Sequence, residues 1–220
     1  MHTQIAIDGP VASGKTVVGR ILSEQLGWRF LDTGLMYRAI TWMALHEQID
    51  ASDHLALENL AINSQIELVA SSEGDRLFIN QNDITDDLRS RSIEATVSFI
   101  SQISGVRTAL ILKQREIASS GSIVMVGRDI GTRVLKYAGI KVFLTASTDE
   151  RAKRRFSQAL EINPDITLKI VKTDLERRDL IDSQNKESPL LPADDSVIIN
   201  TDNMEIDEVV QKIMQLLITK

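Results

Sequence analysis

Short apolar runs alternate along the chain with longer segments in which apolar residues recur at helical spacing. Residues 4–8 have the pattern of a buried strand, and residues 17–26 that of an amphipathic helix ended by Gly27. Further runs of strand type lie at residues 28–31, 123–126, 141–146 and 197–200. Further helical patterns lie at residues 36–45 and 106–118, and in a C-terminal stripe of Val209, Val210, Ile213, Leu216 and Leu217. This alternation predicts an α/β fold built on a doubly wound parallel sheet.

Two segments depart from that alternation. Between Gln65 and Ile79 the apolar residues alternate on either side of a Ser-Ser-Glu-Gly turn, which predicts a small β-hairpin insertion. Residues 148–182 are mostly helical in pattern and rich in charge, with a break at Asn163-Pro164, which favours a helical flap. Neither segment requires a separate domain, so we expect residues 1–220 to form a single domain.

Composition and charge narrow the possible functions. The 220 residues are 43% hydrophobic and 25% charged, as in an ordinary globular protein. A net charge of -6 argues against a broad surface for nucleic acid or an anionic membrane, so any bound anion needs a local basic site. We read no signal peptide and no apolar run of membrane length, and the absence of cysteine fits a reducing compartment. We therefore expect a cytoplasmic protein.

The segment after the first predicted strand carries the clearest chemistry. Its sequence, Gly-Pro-Val-Ala-Ser-Gly-Lys-Thr, matches the phosphate-loop pattern G-x-x-x-x-G-K-[ST] between a strand and a helix. Glycines let backbone N–H groups converge on an anion, and the helix adds its positive end. The predicted ATP-binding residues are Gly9, Pro10, Val11, Ala12, Ser13, Gly14, Lys15, Thr16 and Val17. Lys15 would bridge the β- and γ-phosphates as a catalytic residue, and Thr16 would hold Mg²⁺.

Other motifs distinguish among phosphate-loop proteins. The guanine-reading pattern Asn-Lys-x-Asp of switch GTPases is missing, since Asn185-Lys186 is followed by Glu187-Ser188. The strand at residues 123–126 runs into Gly127-Arg128-Asp129 and not into the acidic pair expected of a motor ATPase. An arginine at that strand end suits an anionic acceptor.

Three longer motifs carry a family resemblance. They are Ile-Ala-Ile-Asp-Gly-Pro from Ile5, Leu-Asp-Thr-Gly-Leu-Met-Tyr-Arg from Leu31, and Gly-Arg-Asp-Ile-Gly-Thr from Gly127. Arg178-Asp179, Asp182-Ser183 and Ser188-Pro189-Leu190 follow in the same order. Together they cover nearly the whole chain, which resembles the bacterial cytidylate kinases.

That resemblance implies transfer of the γ-phosphoryl group of ATP to CMP or dCMP, with Mg²⁺ as cofactor. It also implies an acceptor-binding insertion at about residues 62–105 and a lid at about residues 148–190. Matched residue by residue, Thr33, Ser98, Arg107 and Asp129 would read the cytosine, Arg38 and Arg128 would hold the acceptor phosphate, and Asp182 with Arg178 would contact the ribose. We list Arg128 and Arg154 with Lys15 as catalytic, and expect a monomer with small-molecule substrates, no nucleic acid and no membrane.

Several residues keep two interpretations. Arg151, Arg154 and Arg155 share one helix face, which would be either a salt-bridged surface or the phosphate-facing side of the lid. Asp8 would support Mg²⁺ or cap a helix, and Asp32 would orient Arg38 or Arg128 or cap the helix after it. The remaining set is expected to be structural or solvated: His2, His46 and His54 outside the motifs, and Trp28, Tyr37 and Trp42 in the core.

A few positions differ from the family pattern. Val11 stands where a small or hydroxylic residue is frequent, and Val17 stands where the family generally has a threonine, so Thr16 alone would serve the metal. Asn185 stands where an arginine usually follows the Asp-Ser pair. Lys186 would substitute for that arginine, or the acceptor would bind more weakly. Two other functions also stay open: a kinase for UMP or AMP, and a nucleotide-binding regulatory protein without efficient transfer.

Overall fold

A computed structural model of the chain describes residues 3–69, 76–161, 163–185 and 188–218. Its strands are β1 (Gln4–Asp8), β2 (Arg29–Asp32), β3 (Ile66–Val69), β4 (Arg76–Ile79), β5 (Asn82–Asp83), β6 (Ile123–Gly127), β7 (Ile140–Thr145) and β8 (Val197–Asn200). Its α-helices are α1 (Lys15–Leu26), α2 (Thr33–His46), α3 (His54–Asn63), α4 (Arg91–Ile100), α5 (Ser104–Ser119), α6 (Thr148–Leu160), α7 (Leu168–Gln184) and α8 (Ile206–Ile218). A 3-10 turn spans Thr85–Arg89 and a π-helical turn spans Ile130–Val134.

The chain divides into two compact units, Met1–Phe30 with Ala118–Lys220, and Leu31–Ile117. The first unit contains the phosphate loop and the predicted lid of residues 148–190. The second contains the predicted insertion of residues 62–105, together with α2 and most of α5.

A five-stranded sheet in the order β2-β6-β1-β7-β8 runs through the described residues. β1 pairs in parallel with both β6 and β7, and β7 pairs in parallel with β8. Its apolar side chains, such as Ile5, Val124 and Val142, pack with Leu22 of α1 and Ile213 of α8 into one core. The predicted α/β architecture with a mostly parallel sheet is therefore confirmed.

In the second unit, β3, β4 and β5 form an antiparallel sheet. Ile66 pairs with Ile79 and Leu68 with Leu77, as the alternating pattern predicts for a hairpin. The Ser-Ser-Glu-Gly turn between the two strands lies outside the described residues.

Some elements differ from their prediction. α2 begins at Thr33, three residues before the predicted start, because the Asp32 carboxylate accepts the Gly34 N–H at 2.9 Å and caps the helix. Thr33 and Gly34 thus lie in a helical turn and not in a loop. The helices α3 and α4 and the π-helical turn were not predicted from the sequence.

The aromatic residues expected in the core take different positions. Tyr37 is buried, and Trp28 packs against the main core. Trp42 is only half-buried: it stacks on the exposed His46 with ring centroids 4.9 Å apart and donates to Asp87 at 2.8 Å. Its placement in the core was therefore wrong. His54 is exposed, and His2 lies outside the described residues.

Among the described residues, no single helix is long and apolar enough to span a membrane. One pair of helices in this part of the chain, Ser92–Ile100 and Ser104–Ser119, reaches that length and apolarity when taken together, but the two are bent by 93°.

Candidate active site

The phosphate loop connects β1 to α1, as the motif predicts. Its backbone has positive φ at three positions, 148° at Gly9, 60° at Ala12 and 95° at Gly14. Such conformations turn consecutive N–H groups toward one side and make a concave anion site. The first turn of α1 is fully described and contains no acidic residue, so its positive end is not offset there.

Gly9 occupies a position that no other residue could fill. A Cβ atom there would lie 2.0 Å from the carbonyl oxygen of Leu144 in β7. Because real Cβ contacts do not come so close, any side chain at this position would displace the loop or the strand. The positive φ at Gly9 adds a second reason for glycine.

Lys15 and Thr16 begin α1 and bring the two side chains of the motif to the loop. The Lys15 ammonium donates to the Pro10 carbonyl at 2.5 Å and lies 3.4 Å from the Ser13 hydroxyl. It therefore lies over the loop, where it could exchange a carbonyl for a phosphate oxygen. Thr16 is exposed at the start of α1.

The acidic side chains do not suggest a metal centre made by the protein alone. In the part of the chain that the structure covers, no three histidine, aspartate or glutamate side chains cluster as ligands. Mg²⁺ often keeps several waters and binds through substrate phosphates with few protein ligands. The hydroxyl side chain of Thr16, an exposed residue, fits a cation bound in that way.

Arg151 is a buried connection between the phosphate loop and the two flap helices α6 and α7. Its guanidinium pairs with Asp179 of α7 through two hydrogen bonds of 3.1 and 2.6 Å. It also donates to the carbonyl oxygens of Ala146 at 3.1 Å and Val11 at 3.2 Å. Arg151 thus has the ion pair expected of a salt-bridged face, although its side chain is buried and only 4% exposed, and a contact with the phosphates stays a prediction.

Val11 adds an apolar contact at the same place. Its side chain packs against a small cluster formed by Ala152 of α6 with Val171 and Leu175 of α7. The residue that departs from the family pattern therefore has a packing role. It helps to attach the phosphate loop to the helices of the predicted lid.

Arg154 has other partners than Arg151. It donates to the Thr201 hydroxyl at 3.0 Å, to the Thr201 carbonyl at 2.8 Å and to Glu150 at 3.2 Å. The Thr201 hydroxyl in turn lies 3.4 Å from the Ser13 carbonyl of the phosphate loop. Thr201 thus connects Arg154 to the phosphate loop, and the catalytic role of Arg154 stays a prediction.

The Asp8 carboxylate fixes the turn that follows β6. One of its oxygens accepts the Ile130 N–H and the other accepts the Gly131 N–H, both at 2.7 Å. Asp8 is 4% exposed, and burial raises its pKa to about 6, although the two N–H donors oppose the rise. Asp8 therefore caps a helical turn, which was one of its two interpretations. That turn follows β6, whereas Asp8 ends β1.

Arg128 and Asp182 form an ion pair beside the phosphate loop. The Arg128 Nε lies 2.9 Å from an oxygen of Asp182 in α7, and its Nη1 lies 3.4 Å from the Gly9 carbonyl. Burial raises the pKa of Asp182, while Arg128 opposes that rise. Arg178 lies one helical turn before Asp182 and also favours its ionised form.

Asp129, next to Arg128, is held by a different neighbour. It is 5% exposed and accepts a hydrogen bond from the Ser188 hydroxyl. The first unit therefore brings four of the predicted acceptor residues close to the phosphate loop: Arg128, Asp129, Arg178 and Asp182. Lys186, the proposed substitute for a missing arginine, lies outside the described residues.

The second unit brings together α2, α4 and α5, which carry the other predicted acceptor residues. Arg38 of α2 pairs with Glu94 of α4 at 2.7 Å and donates to the Leu88 carbonyl at 3.1 Å. Ser98 lies one turn beyond Glu94 on the same helix. Arg38 therefore has a carboxylate partner, which the sequence analysis did not identify.

Arg107 of α5 is buried in this unit. Its guanidinium carbon lies 5.6 Å from the centre of the Tyr37 ring, and it donates to the Ser101 carbonyl at 3.0 Å. Such a cation–π contact favours one orientation of the guanidinium. Thr33 is buried in the first turn of α2.

The geometry of the first unit defines a class of protein. A phosphate loop between a central strand and a helix, beside an Arg–Asp turn suited to an anionic acceptor, is that of a P-loop phosphotransferase. The fold agrees: a shikimate kinase from Acinetobacter baumannii in complex with shikimate superposes with a TM-score of 0.53 at 19% identity, covering 100% of this chain and 94% of that one. An uncharacterized protein from Eubacterium ventriosum gives a TM-score of 0.57 at 14% identity, over 100% of both chains.

Sequence comparison is more specific. The family model described as cytidylate kinase matches residues 5–219. The cytidylate kinase of Geobacillus sp. (strain WCH70) is 41% identical over 98% of this chain and 96% of that protein. That of Bacillus subtilis (strain 168) is 40% identical over 96% of this chain and 94% of that protein. That of Streptococcus gordonii is 44% identical over 94% of this chain and 92% of that protein. The chain belongs to the cytidylate kinase family.

Proposed function

We propose that this protein transfers the γ-phosphoryl group of ATP to CMP or dCMP, giving ADP and CDP or dCDP. The observation that carries the proposal is the similarity to cytidylate kinases over nearly the full length of both chains. The pairing of a phosphate loop with the Arg128–Asp129 turn supports it on physical grounds.

On the donor side, backbone N–H groups from Gly9 to Thr16 bind the phosphates of ATP. The Lys15 ammonium leaves the Pro10 carbonyl and bridges phosphate oxygens. Thr16 is the residue that would hold Mg²⁺, which when bound neutralises charge on the phosphates. Arg154 contributes further positive charge to the donor phosphates.

On the acceptor side, Arg38 and Arg128 bind the phosphate of CMP, and Arg178 and Asp182 contact its ribose. Thr33, Ser98, Arg107 and Asp129 recognise the base. Cytosine offers an amino donor beside two acceptors, so a carboxylate next to an arginine and a hydroxyl complements its edge. Uracil has a carbonyl in place of that amino group and would face the carboxylate unfavourably.

Chemistry of this kind needs no strong general base. The second pKa of a phosphate monoester is near ~6, so the acceptor oxygen is already ionised at neutral pH. Positioning and charge neutralisation by Lys15 and Arg128 then supply most of the catalysis. This agrees with a site where the described functional side chains are cations, carboxylates and hydroxyls.

A coupled assay of ADP formation with CMP, dCMP, UMP, AMP or no acceptor tests the proposal. We expect rapid turnover with CMP and dCMP and little with the other acceptors. Arg128→Met should remove most CMP-dependent turnover, whereas Arg133→Met, a matched change on the same turn, should not. ADP release without acceptor would indicate an ATPase, and turnover only with UMP or AMP would indicate a different kinase. A protein that binds ATP without turnover would instead be regulatory.

A cytoplasmic, monomeric enzyme acting on small nucleotides completes the proposal. Size-exclusion chromatography with light scattering would measure the mass in solution against the 24.5 kDa of one chain.

A further inference from the structure

Asp129 begins a helical turn, yet its carboxylate is not used to cap it. Within the described chain, the Asp129 side chain makes no capping hydrogen bond to the turn Ile130–Val134. The N–H groups at the start of that turn are taken by Asp8 at 2.7 Å each. An aspartate at such a position usually caps its own helix, whereas here Asp8 accepts these two N–H groups.

The backbone around Asp129 is already fixed by these contacts. Asp8 holds Ile130 and Gly131 from the end of β1, and a Cβ atom at Gly131 would lie 3.2 Å from both Asp8 and Lys141. The turn therefore has little room to shift. The freedom that remains to the Asp129 carboxylate is the rotation of its side chain.

Ser188 restricts that rotation. Its hydroxyl donates to the Asp129 Oδ2, and both residues are buried, at 6% and 5% exposure. A hydrogen bond between two buried groups is electrostatically stronger than the same bond at the surface. One oxygen of the carboxylate is thus engaged by the serine, which sets the direction of the other.

Ser188 itself is held in place. Its N–H donates to the Asn185 side-chain oxygen at 3.1 Å, and the Leu190 N–H donates to the Asp182 carbonyl at 3.2 Å. The segment after α7 is therefore attached to the end of that helix. Asn185, which departs from the family pattern, contributes to this arrangement.

We propose that Ser188 is a specificity-determining positioning residue, which orients the Asp129 carboxylate toward the cytosine amino group before the nucleotide binds. The proposal rests on the proposed function, because it assigns Asp129 to the base. Its physical content is preorganisation: a carboxylate fixed in advance discriminates between an amino group and a carbonyl more sharply than one that can rotate away.

Kinetics of Ser188→Ala with CMP and UMP test this role. We expect kcat/KM for CMP to fall about 10-fold, as for the loss of one hydrogen bond to a charged group, with a smaller change for UMP. The CMP-to-UMP ratio should therefore fall, while KM for ATP stays within about twofold. Ser188→Thr, which keeps a hydroxyl, should restore much of the ratio, and Ser188→Cys, with its weak donor, should resemble the alanine variant.

Ser23→Ala is a matched control outside the predicted acceptor-binding residues, since Ser23 is also buried and its hydroxyl donates to a helix carbonyl, that of Arg20, at 2.7 Å. It should lower stability without changing the CMP-to-UMP ratio. An unchanged ratio in folded Ser188→Ala and Ser188→Cys would overturn the positioning role while CMP turnover of the parent enzyme stands. A parent enzyme that fails to use CMP would overturn the proposed function itself.

Discussion

Arg151 reaches from α6 to Asp179 of α7 and binds its carboxylate through two hydrogen bonds, of 3.1 and 2.6 Å. The same guanidinium donates to the Val11 carbonyl of the phosphate loop. One buried side chain thus joins α6 and α7 to the phosphate loop. The flap and the loop should therefore respond together when this side chain is changed.

Replacing Arg151 with methionine should destabilise the protein. The change keeps some of the packing but leaves Asp179, 29% exposed, without its cation, and leaves two carbonyls without a donor. Removing one partner of a buried pair costs about 3 kcal/mol. Urea unfolding measures that loss, and ATP titration should show weaker binding. Lys153→Met on the same helix, at a side chain 69% exposed, should change neither quantity; equal losses in both variants would contradict this role for Arg151.

Lys15→Ala tests the phosphate loop. In the proposed mechanism the Lys15 ammonium places positive charge near the transferring phosphoryl group, so its loss should lower kcat by about 100- to 1,000-fold. Single-turnover measurements with CMP would separate this chemical effect from product release. Lys212→Ala, at an exposed lysine of α8, serves as the control. A Lys15→Ala enzyme as active as the parent would exclude the proposed donor site.

Asp129→Asn should impair the use of CMP far more than the binding of ATP. In the proposed site the Asp129 carboxylate accepts a hydrogen bond from the cytosine amino group. Asparagine can present its amide nitrogen there, and it also changes the group that accepts the Ser188 hydroxyl. We expect kcat/KM for CMP to fall about 100-fold or more, with the Kd for ATP within about twofold. Asp165→Asn, at an exposed position, should leave both constants unchanged. Equal losses for both nucleotides would mean that Asp129 does not recognise the base.

Asp8 should make stability depend on pH in an unusual direction. Its pKa is about 6 in the folded protein and 3.8 in an ordinary carboxyl, so between these values the folded state binds more protons than the unfolded state. Its contribution to the free energy of unfolding is therefore complete below pH about 3.8 and lost as the pH rises through about 6. At pH 5 it exceeds its value at pH 7.5 by about 1.4 kcal/mol.

The measurement compares urea unfolding of the parent and Asp8→Asn at pH 5.0, 6.0 and 7.5. The variant lacks this titration, so the difference in stability between the two proteins should shrink as the pH rises. The variant should still be less stable at neutral pH, because asparagine has one oxygen for two N–H donors. A difference that stays constant over this range would show that Asp8 titrates normally.

The parts of the site that follow from local sequence were predictable. The run from Gly9 to Thr16 has its strand, its glycines and its helix within consecutive residues, so its structure follows from a short pattern. The same holds for β8, whose predicted bounds of 197–200 agree with the structure, and for Gly27, which ends α1 with φ of 63°.

Contacts between distant residues were not predictable in the same way. Asp8 and Gly131 lie far apart in the sequence, and nothing local in either segment specifies that a carboxylate at one strand end will bind N–H groups beyond another. The hydrogen bond from Ser188 to Asp129 has the same character. The parallel pairing of β1 with β6 brings Asp8 to Gly131, whereas Ser188 belongs to the segment that follows α7. A local pattern predicts these elements but not the contacts between them.

The local sequence was ambiguous at Asp32 and misleading at Trp42. The Asp32 carboxylate was compatible with capping or with orienting an arginine, and only the 2.9 Å contact with Gly34 established the first. Trp42 lies in an apolar-periodic stretch, yet it reaches outward to Asp87 because its indole N–H needs an acceptor.

The close approach of the Leu144 carbonyl to Gly9 affects where in the chain mutations can impair the protein. A mutation that moves β7 by a fraction of an ångström would press on the first residue of the nucleotide loop, although β7 belongs to none of the recognised motifs. Loss-of-function variants should therefore also occur in this strand, and a screen confined to motif positions would overlook them.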